Sequence, residues 1–180
     1  MNNMSKKKRI GLFALLVLGG IGYRFLWENI PNFEPVTLVC LLAGTYLGRE
    51  KYLVPFAVML TTDLYFGIST ISIFVYSAFV FTVLMGTGIK NPIDSVKKGF
   101  YSSVFFFLWT NFGVWLLFNM YSKDFSGLIQ SYVMGLPFYR NTFISSVVLV
   151  GFVYSAVYVF EKVYKKEWNP AKALGRVIKL

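Results

Sequence analysis

Histidine is absent from this sequence, and cysteine occurs once, as Cys40. The first absence removes the commonest general base and the commonest metal ligand, so Cys/His zinc sites and Ser/His/Asp triads are excluded. The second excludes an intrachain disulfide and leaves the redox compartment unread. Cys40 sits in an apolar run and reads as a small packing residue. No Gly-x-x-x-x-Gly-Lys-Ser/Thr phosphate loop, His-Glu-x-x-His or Gly-x-Ser-x-Gly occurs. An intramembrane carboxylate protease needs two facing carboxylates, and Asp63 has no partner carboxylate in another span. The expectation is a protein that is not an enzyme, with no cofactor and no metal.

Charge is also scarce. Charged residues make up 14% of the chain, against roughly 25% in an average soluble domain. What fills the chain instead is apolar: 56% hydrophobic and 19% aromatic residues. A soluble fold of 180 residues could not hide that surface. Apolar runs near the ~20 residues needed to cross the hydrocarbon of a bilayer recur along nearly the whole length. Six candidate spans follow: 10–27, 35–47, 52–66, 71–89, 96–118 and 142–163. The second is short and is expected to be tilted or shielded by its neighbours. Pro35, Asn91-Pro92 with Asp94, and Asn141-Thr142 mark helix starts. The first span follows Lys6, Lys7, Lys8 and Arg9 like a signal peptide, but no Ala-x-Ala-like site follows before Arg24 and Trp27, so it reads as a retained helix. The organisation is one membrane domain over 1–180: a basic N-terminus (1–9), a six-helix bundle (10–163) and a basic amphipathic C-terminal segment (164–180).

Eighteen cations against eight anions give a net charge of +10, and their placement sets orientation, because Lys and Arg accumulate on the cytoplasmic side. With the N-terminus inside, the inner segments hold Lys6, Lys7, Lys8, Arg9, Arg49, Lys51, Lys90, Lys97, Lys98, Lys162, Lys165, Lys166, Lys172, Arg176 and Lys179. The outside keeps Arg24, Lys123 and Arg140. This asymmetry places both termini in the cytoplasm. It is a topology signal and no nucleic-acid footprint, since no aromatic-and-basic module accompanies it.

Two further segments look amphipathic. In 125–136, Leu128, Ile129, Tyr132 and Leu136 share a helical face, as expected of an outer-surface helix or lid. Asn169-Pro170 opens a basic helix with Ala171, Leu174, Val177 and Ile178 on one side and Trp168 as an interfacial anchor, suited to the lipid headgroups of the inner leaflet or to a docking partner. Gly11, Ala14, Gly19, Gly20 and Gly22 would let another helix approach the first span.

Ionisable groups in a membrane segment are costly unless paired or wet, which makes them candidates for function. Asp63 lies near the outer end of the third span, Arg24 near that of the first, and Arg140 just before the sixth. Asn32 and Glu34 occupy the first outer loop with Glu28, and the fifth span carries Trp109, Asn111 and Trp115. One reading pairs Asp63 with Arg24 or Arg140 to pin helices together. The other gathers Arg24, Asn32, Glu34, Asp63, Trp109, Asn111, Arg140 and Asn141 around an outward pocket for a small molecule.

Arg24 followed by Pro31-Asn32-Phe33-Glu34-Pro35-Val36, then Leu41-Leu42-Ala43-Gly44-Thr45-Tyr46, Asp63, Thr110-Asn111-Phe112-Gly113-Val114-Trp115 and Pro137-Phe138-Tyr139-Arg140-Asn141-Thr142 resemble a family of small bacterial membrane proteins. That family looks like the substrate-binding S components of energy-coupling factor (ECF) transporters. The resemblance covers roughly residues 10–160. It implies an all-α integral membrane fold of six transmembrane helices in the bacterial cytoplasmic membrane, with a vitamin or micronutrient site near the outer face. It also implies energisation by a separate transmembrane coupling protein with ATPase subunits. Docking helices in that group often carry Ala-x-x-x-Ala in the first span, whereas Ala14 is followed at the fourth position by Leu18. A solitary transporter, or a structural or accessory subunit of a larger membrane complex, therefore stays open.

Overall fold

The computed structural model describes residues 4–29, 33 and 35–163. These residues are helical, with no strand among them: α1 Lys6–Leu26, α2 Val36–Tyr46, a single 3-10 turn Arg49–Tyr52, α3 Leu53–Phe66, α4 Ser72–Gly86, α5 Pro92–Leu117, α6 Phe125–Phe143, a π-helical turn Ile144–Leu149 and α7 Val150–Val163. The helices over Lys6–Leu26, Pro92–Leu117 and Phe125–Phe160 are each long and apolar enough to cross a membrane. The chain is an α-helical, membrane-associated protein.

α2 is the hub. It has only 11 residues, about 16 Å of helix, and eight of them are buried. Residues of α2 take part in all three apolar clusters of the core: Val39, Ala43 and Tyr46 against Leu12 and Leu16 of α1; Val36 and Cys40 against Val58, Met59, Phe79 and Val83; and Leu41 against Val150 and Tyr154 of α7. The shielding expected for the short second span is thus what is found, and Cys40 is fully buried within that packing.

α2 and α4 come into backbone contact where they cross. A Cβ on Gly44 would collide with the Val83 carbonyl, and one on Gly86 with the backbone of Leu41. Beside this crossing the Thr45 hydroxyl lies 2.8 Å from the Leu41 carbonyl, 3.0 Å from the Gly86 carbonyl and 2.7 Å from the Tyr154 hydroxyl. One side chain therefore ties α2, α4 and α7 in an interior where unpaired polar groups are costly. The glycines of the first span are less engaged: Gly20 meets Val58, but Gly19 and Gly22 face open space.

α5 and the rod formed by α6, the π-helical turn and α7 make an antiparallel pair. Asn91 caps α5, accepting from the Asp94 N–H at 2.8 Å, with Pro92 at the first position. Asp124 caps α6, accepting from the Gly127 N–H at 2.7 Å and from the Ser122 hydroxyl at 2.8 Å. These hydrogen bonds, the Gly127 one foremost, hold the Asp124 carboxyl below the usual range. Lys123 reaches back to the last carbonyls of α5, including Phe118 at 2.7 Å.

The rod corrects two expectations. Residues 125–136 are no separate surface helix or lid, and Asn141-Thr142 starts nothing: both lie inside continuous helix. The physical reason is packing. The Ser131 hydroxyl, which donates to the Leu128 carbonyl at 2.8 Å, also lies 3.4 Å from the Asn111 carbonyl, Gly135 lies against the Asn111 side chain, and Gly99 against the Ser146 carbonyl. α5 thus supports the rod across Pro137 without a break. Ser95, Ser102, Ser103, Ser145 and Ser146 are buried along this seam, where small side chains let two backbones approach. The C-terminal amphipathic segment from Trp168 onward lies outside the described residues.

Substituting Gly86 by Val should lower the thermal midpoint of the detergent-extracted protein, at a cost of about 3 kcal/mol or more for an overpacked interior. Gly19→Val, which meets open space, should leave the midpoint nearly unchanged.

Candidate functional site

The alternating helix directions sort the polar chemistry to two ends. At one end Arg9 donates through two nitrogens to the Glu50 carboxylate. The hydrogen bond from Arg9 holds the Glu50 carboxyl below its usual range. Lys51 donates to the Thr87 hydroxyl and Lys98 to the Thr87 carbonyl, both at 2.8 Å. This is the basic end.

At the opposite end are the last turns of α1 and α3 and the first of α4. Arg24 donates to Asp63 Oδ1 at 2.8 Å, to the Thr62 hydroxyl and to the Met59 sulfur at 3.2 Å. Tyr76 donates to Asp63 Oδ2 at 2.8 Å. The Arg24 guanidinium also lies over the Phe66 ring, 5.6 Å from its centroid. The side chains are 18% exposed for Arg24 and 9% for Asp63. Each carboxylate oxygen is engaged, so this network pins α1, α3 and α4 together. Of the two partners expected for Asp63, Arg24 is the one found.

A cavity of about 380 Å³ lies on the other side of α4, between α4, α5 and α6. Its walls are largely apolar and aromatic: Ile71 and Val75 from α4, Phe106, Phe107 and Val114 from α5, Met134 and Phe138 from α6. Polar groups come from Thr110, Asn111, Tyr121, Tyr139 and Thr142. No charged side chain lines it. Asn111 donates to the Phe107 carbonyl at 2.8 Å, which leaves its second N–H and its carboxamide oxygen at the wall beside Gly135. The Tyr139 hydroxyl pairs with Ser103 at 3.2 Å, and its ring packs 4.9 Å from that of Phe107.

The expected site residues therefore separate. Asn111 lines the cavity. Arg24 and Asp63 form the ion pair across α4 from it. Trp109 donates to the Ser77 hydroxyl at 2.8 Å and stacks with Phe105 and Phe112, away from the cavity. Arg140 is exposed on α6, and neither it nor Asn141 is among the lining residues. Asn32 and Glu34 lie outside the described residues. The cavity residues not expected, chiefly Phe106, Phe107, Thr110 and Tyr139, had a signal in the i, i+4 spacing of Phe106-Thr110-Val114 and Phe107-Asn111.

Residues 4–171 match the model of a family described as a family of unknown function (DUF6580). The chain belongs to this family. No curated protein and no solved structure matches it. For this DUF6580 member the two polar features thus rest on their own geometry: a closed network that fixes helices and an uncharged cavity with free hydrogen-bonding groups.

Removing one partner of the ion pair strands the other at low exposure. Asp63→Leu should therefore destabilise the protein by up to about 3 kcal/mol. Arg24→Met combined with Asp63→Leu should recover much of that loss in thermal unfolding.

Proposed function

We propose that this protein is a membrane-embedded substrate-binding component for uptake of a small water-soluble vitamin or micronutrient, energised by a separate transmembrane coupling protein with ATPase subunits. The observation that carries this reading is the cavity between α4, α5 and α6. Its volume falls within the ~300–1,000 Å³ of typical small-molecule sites, and aromatic walls with a few placed polar groups are what such sites use. The resemblance to the S components of ECF transporters supports it from the sequence side.

In this reading α1, α2, α3, α4, α5 and the rod over Phe125–Val163 are six spans in the bacterial cytoplasmic membrane, with both termini cytoplasmic. Support comes from the fifteen-to-three distribution of cations and from the gathering of Arg9, Lys51 and Lys98 at one end of the bundle. The cavity then opens toward the outer face, near Ile71, Met120 and Tyr121. Asn111 orients the ligand through its free carboxamide groups, and Phe106, Phe107 and Phe138 hold its planar or apolar part. The protein itself performs no catalysis and carries no cofactor; binding is its task.

A second reading is a non-catalytic structural or accessory subunit of a larger membrane complex. The closed Arg24–Asp63–Tyr76 network favours it, because two of the expected ligand groups, Arg24 and Asp63, are spent on helix pinning.

Native mass spectrometry of the gently extracted protein separates the two. The proposal expects a co-purifying small molecule whose occupancy falls roughly tenfold in Asn111→Leu, the factor expected for losing one well-placed hydrogen-bonding group. An empty wild-type protein, together with nutrient-dependent growth indifferent to Asn111→Leu, would overturn it in favour of the accessory subunit.

A further inference from the structure

Arg140 lies on the stripe of the α6 rod that faces away from α5. Ile129, Val133, Leu136, Ile144 and Val148 on this stripe are all substantially exposed. Its depth follows from the antiparallel register. Asn111 faces Gly135 and Gly99 faces Ser146, which places Arg140 level with Phe105 and Phe106 of α5. Residues 99–117 carry no charge. At 1.5 Å per residue Arg140 is about 18 Å below the Leu117 end of that stretch and about 9 Å from the Gly99 end.

Helical side chains lean toward the helix N-terminus. Arg140 therefore leans toward the farther boundary, which its side chain cannot reach, and away from the nearer one, so snorkelling to a lipid phosphate is poorly served. Among the described residues no carboxylate is available at that level: Glu50, Asp63 and Asp94 pair with Arg9, Arg24 and Lys98, Asp124 caps α6, Glu28 lies past the end of α1, and Glu161 is roughly 30 Å farther along the rod. A second polar group lies on the same stripe. Pro137 has no N–H to give to the Val133 carbonyl one turn earlier, and Val133 is 54% exposed. A cation and a carbonyl lacking its helical donor thus occur within two turns on an otherwise apolar surface, where hydrocarbon satisfies neither. A two-fold pairing of copies through this stripe would bring Arg140 against Arg140, which is repulsive.

We propose that this stripe docks a transmembrane helix of a different protein, whose own intramembrane carboxylate seats on Arg140. The interface does not depend on what the cavity binds. A photo-crosslinking amino acid placed at Val133 or Ile144 of the full chain, in the membranes of cells that express it, tests this. The expected result is a crosslink mapped to a membrane segment of another protein that contains Asp or Glu. Its yield should fall roughly tenfold in Arg140→Gln and persist in Arg140→Lys. Arg140→Glu combined with Arg at the partner's acidic position should restore it. Purified Arg140→Gln should unfold at the wild-type temperature, because the side chain makes no ion pair among the described residues. Self-crosslinks, lipid adducts alone, a crosslink indifferent to Arg140→Gln, or a lowered unfolding temperature of that variant would each overturn the proposal.

Discussion

The approach of α2 to α4 at Gly44 and Gly86 is the constraint on which the other placements depend. An 11-residue helix is too short to stand alone in hydrocarbon, so it survives by being surrounded, with its backbone sealed by neighbours on every side. Two glycines permit contact between backbones, and Thr45 adds hydroxyl links to α4 and α7 at the same level. With one face of α4 fixed in this way, its other faces are assigned. Tyr76 turns to Asp63, while Ile71 and Val75 turn to the cavity.

This arrangement separates a closed polar network from an open cavity. On the α1–α3 side, a charged network with few unused hydrogen-bonding positions makes a firm wall. On the α5–α6 side, the wall is aromatic and contains hydrogen-bonding groups that the protein does not consume. The π-helical turn over Ile144–Leu149 lies just beyond the cavity, opposite Gly99. Such turns interrupt regular helix and recur at functional sites. Here Thr142, just before the turn, lines the cavity, and Ser146, within it, packs against Gly99.

The positions of the first five helices were legible in the sequence because long apolar runs announce themselves by hydropathy, and the described ranges differ from the expected ones by a few residues. The two-ended charge pattern was legible for the same reason. The rod was not. Asn141 and Thr142 prefer helix starts and Pro137 prefers helix ends, so local preference argued for a break; packing of Ser131, Gly135 and Ser146 along α5 overrode it. That single misplacement carried Arg140 from an outer loop to the middle of a helix. The choice between Arg24 and Arg140 as the partner of Asp63 was equally hidden, since it depends on which helices are neighbours. The cavity mixed the two cases. Asn111 was visible as a polar residue in an apolar span. Phe106 and Phe107 did not stand out among 19 phenylalanines, and their i, i+4 spacing to Thr110 and Asn111 gains meaning only beside α4 and α6.

The central claim is that the space between α4, α5 and α6 holds a small molecule. A high-resolution experimental structure of the protein extracted from its own membranes tests this most directly. The account predicts non-protein density bounded by Phe107, Asn111 and Tyr139, within hydrogen-bonding distance of the Asn111 carboxamide. A cavity closed by the Met120 and Met134 side chains, with no density between the helices, would contradict it.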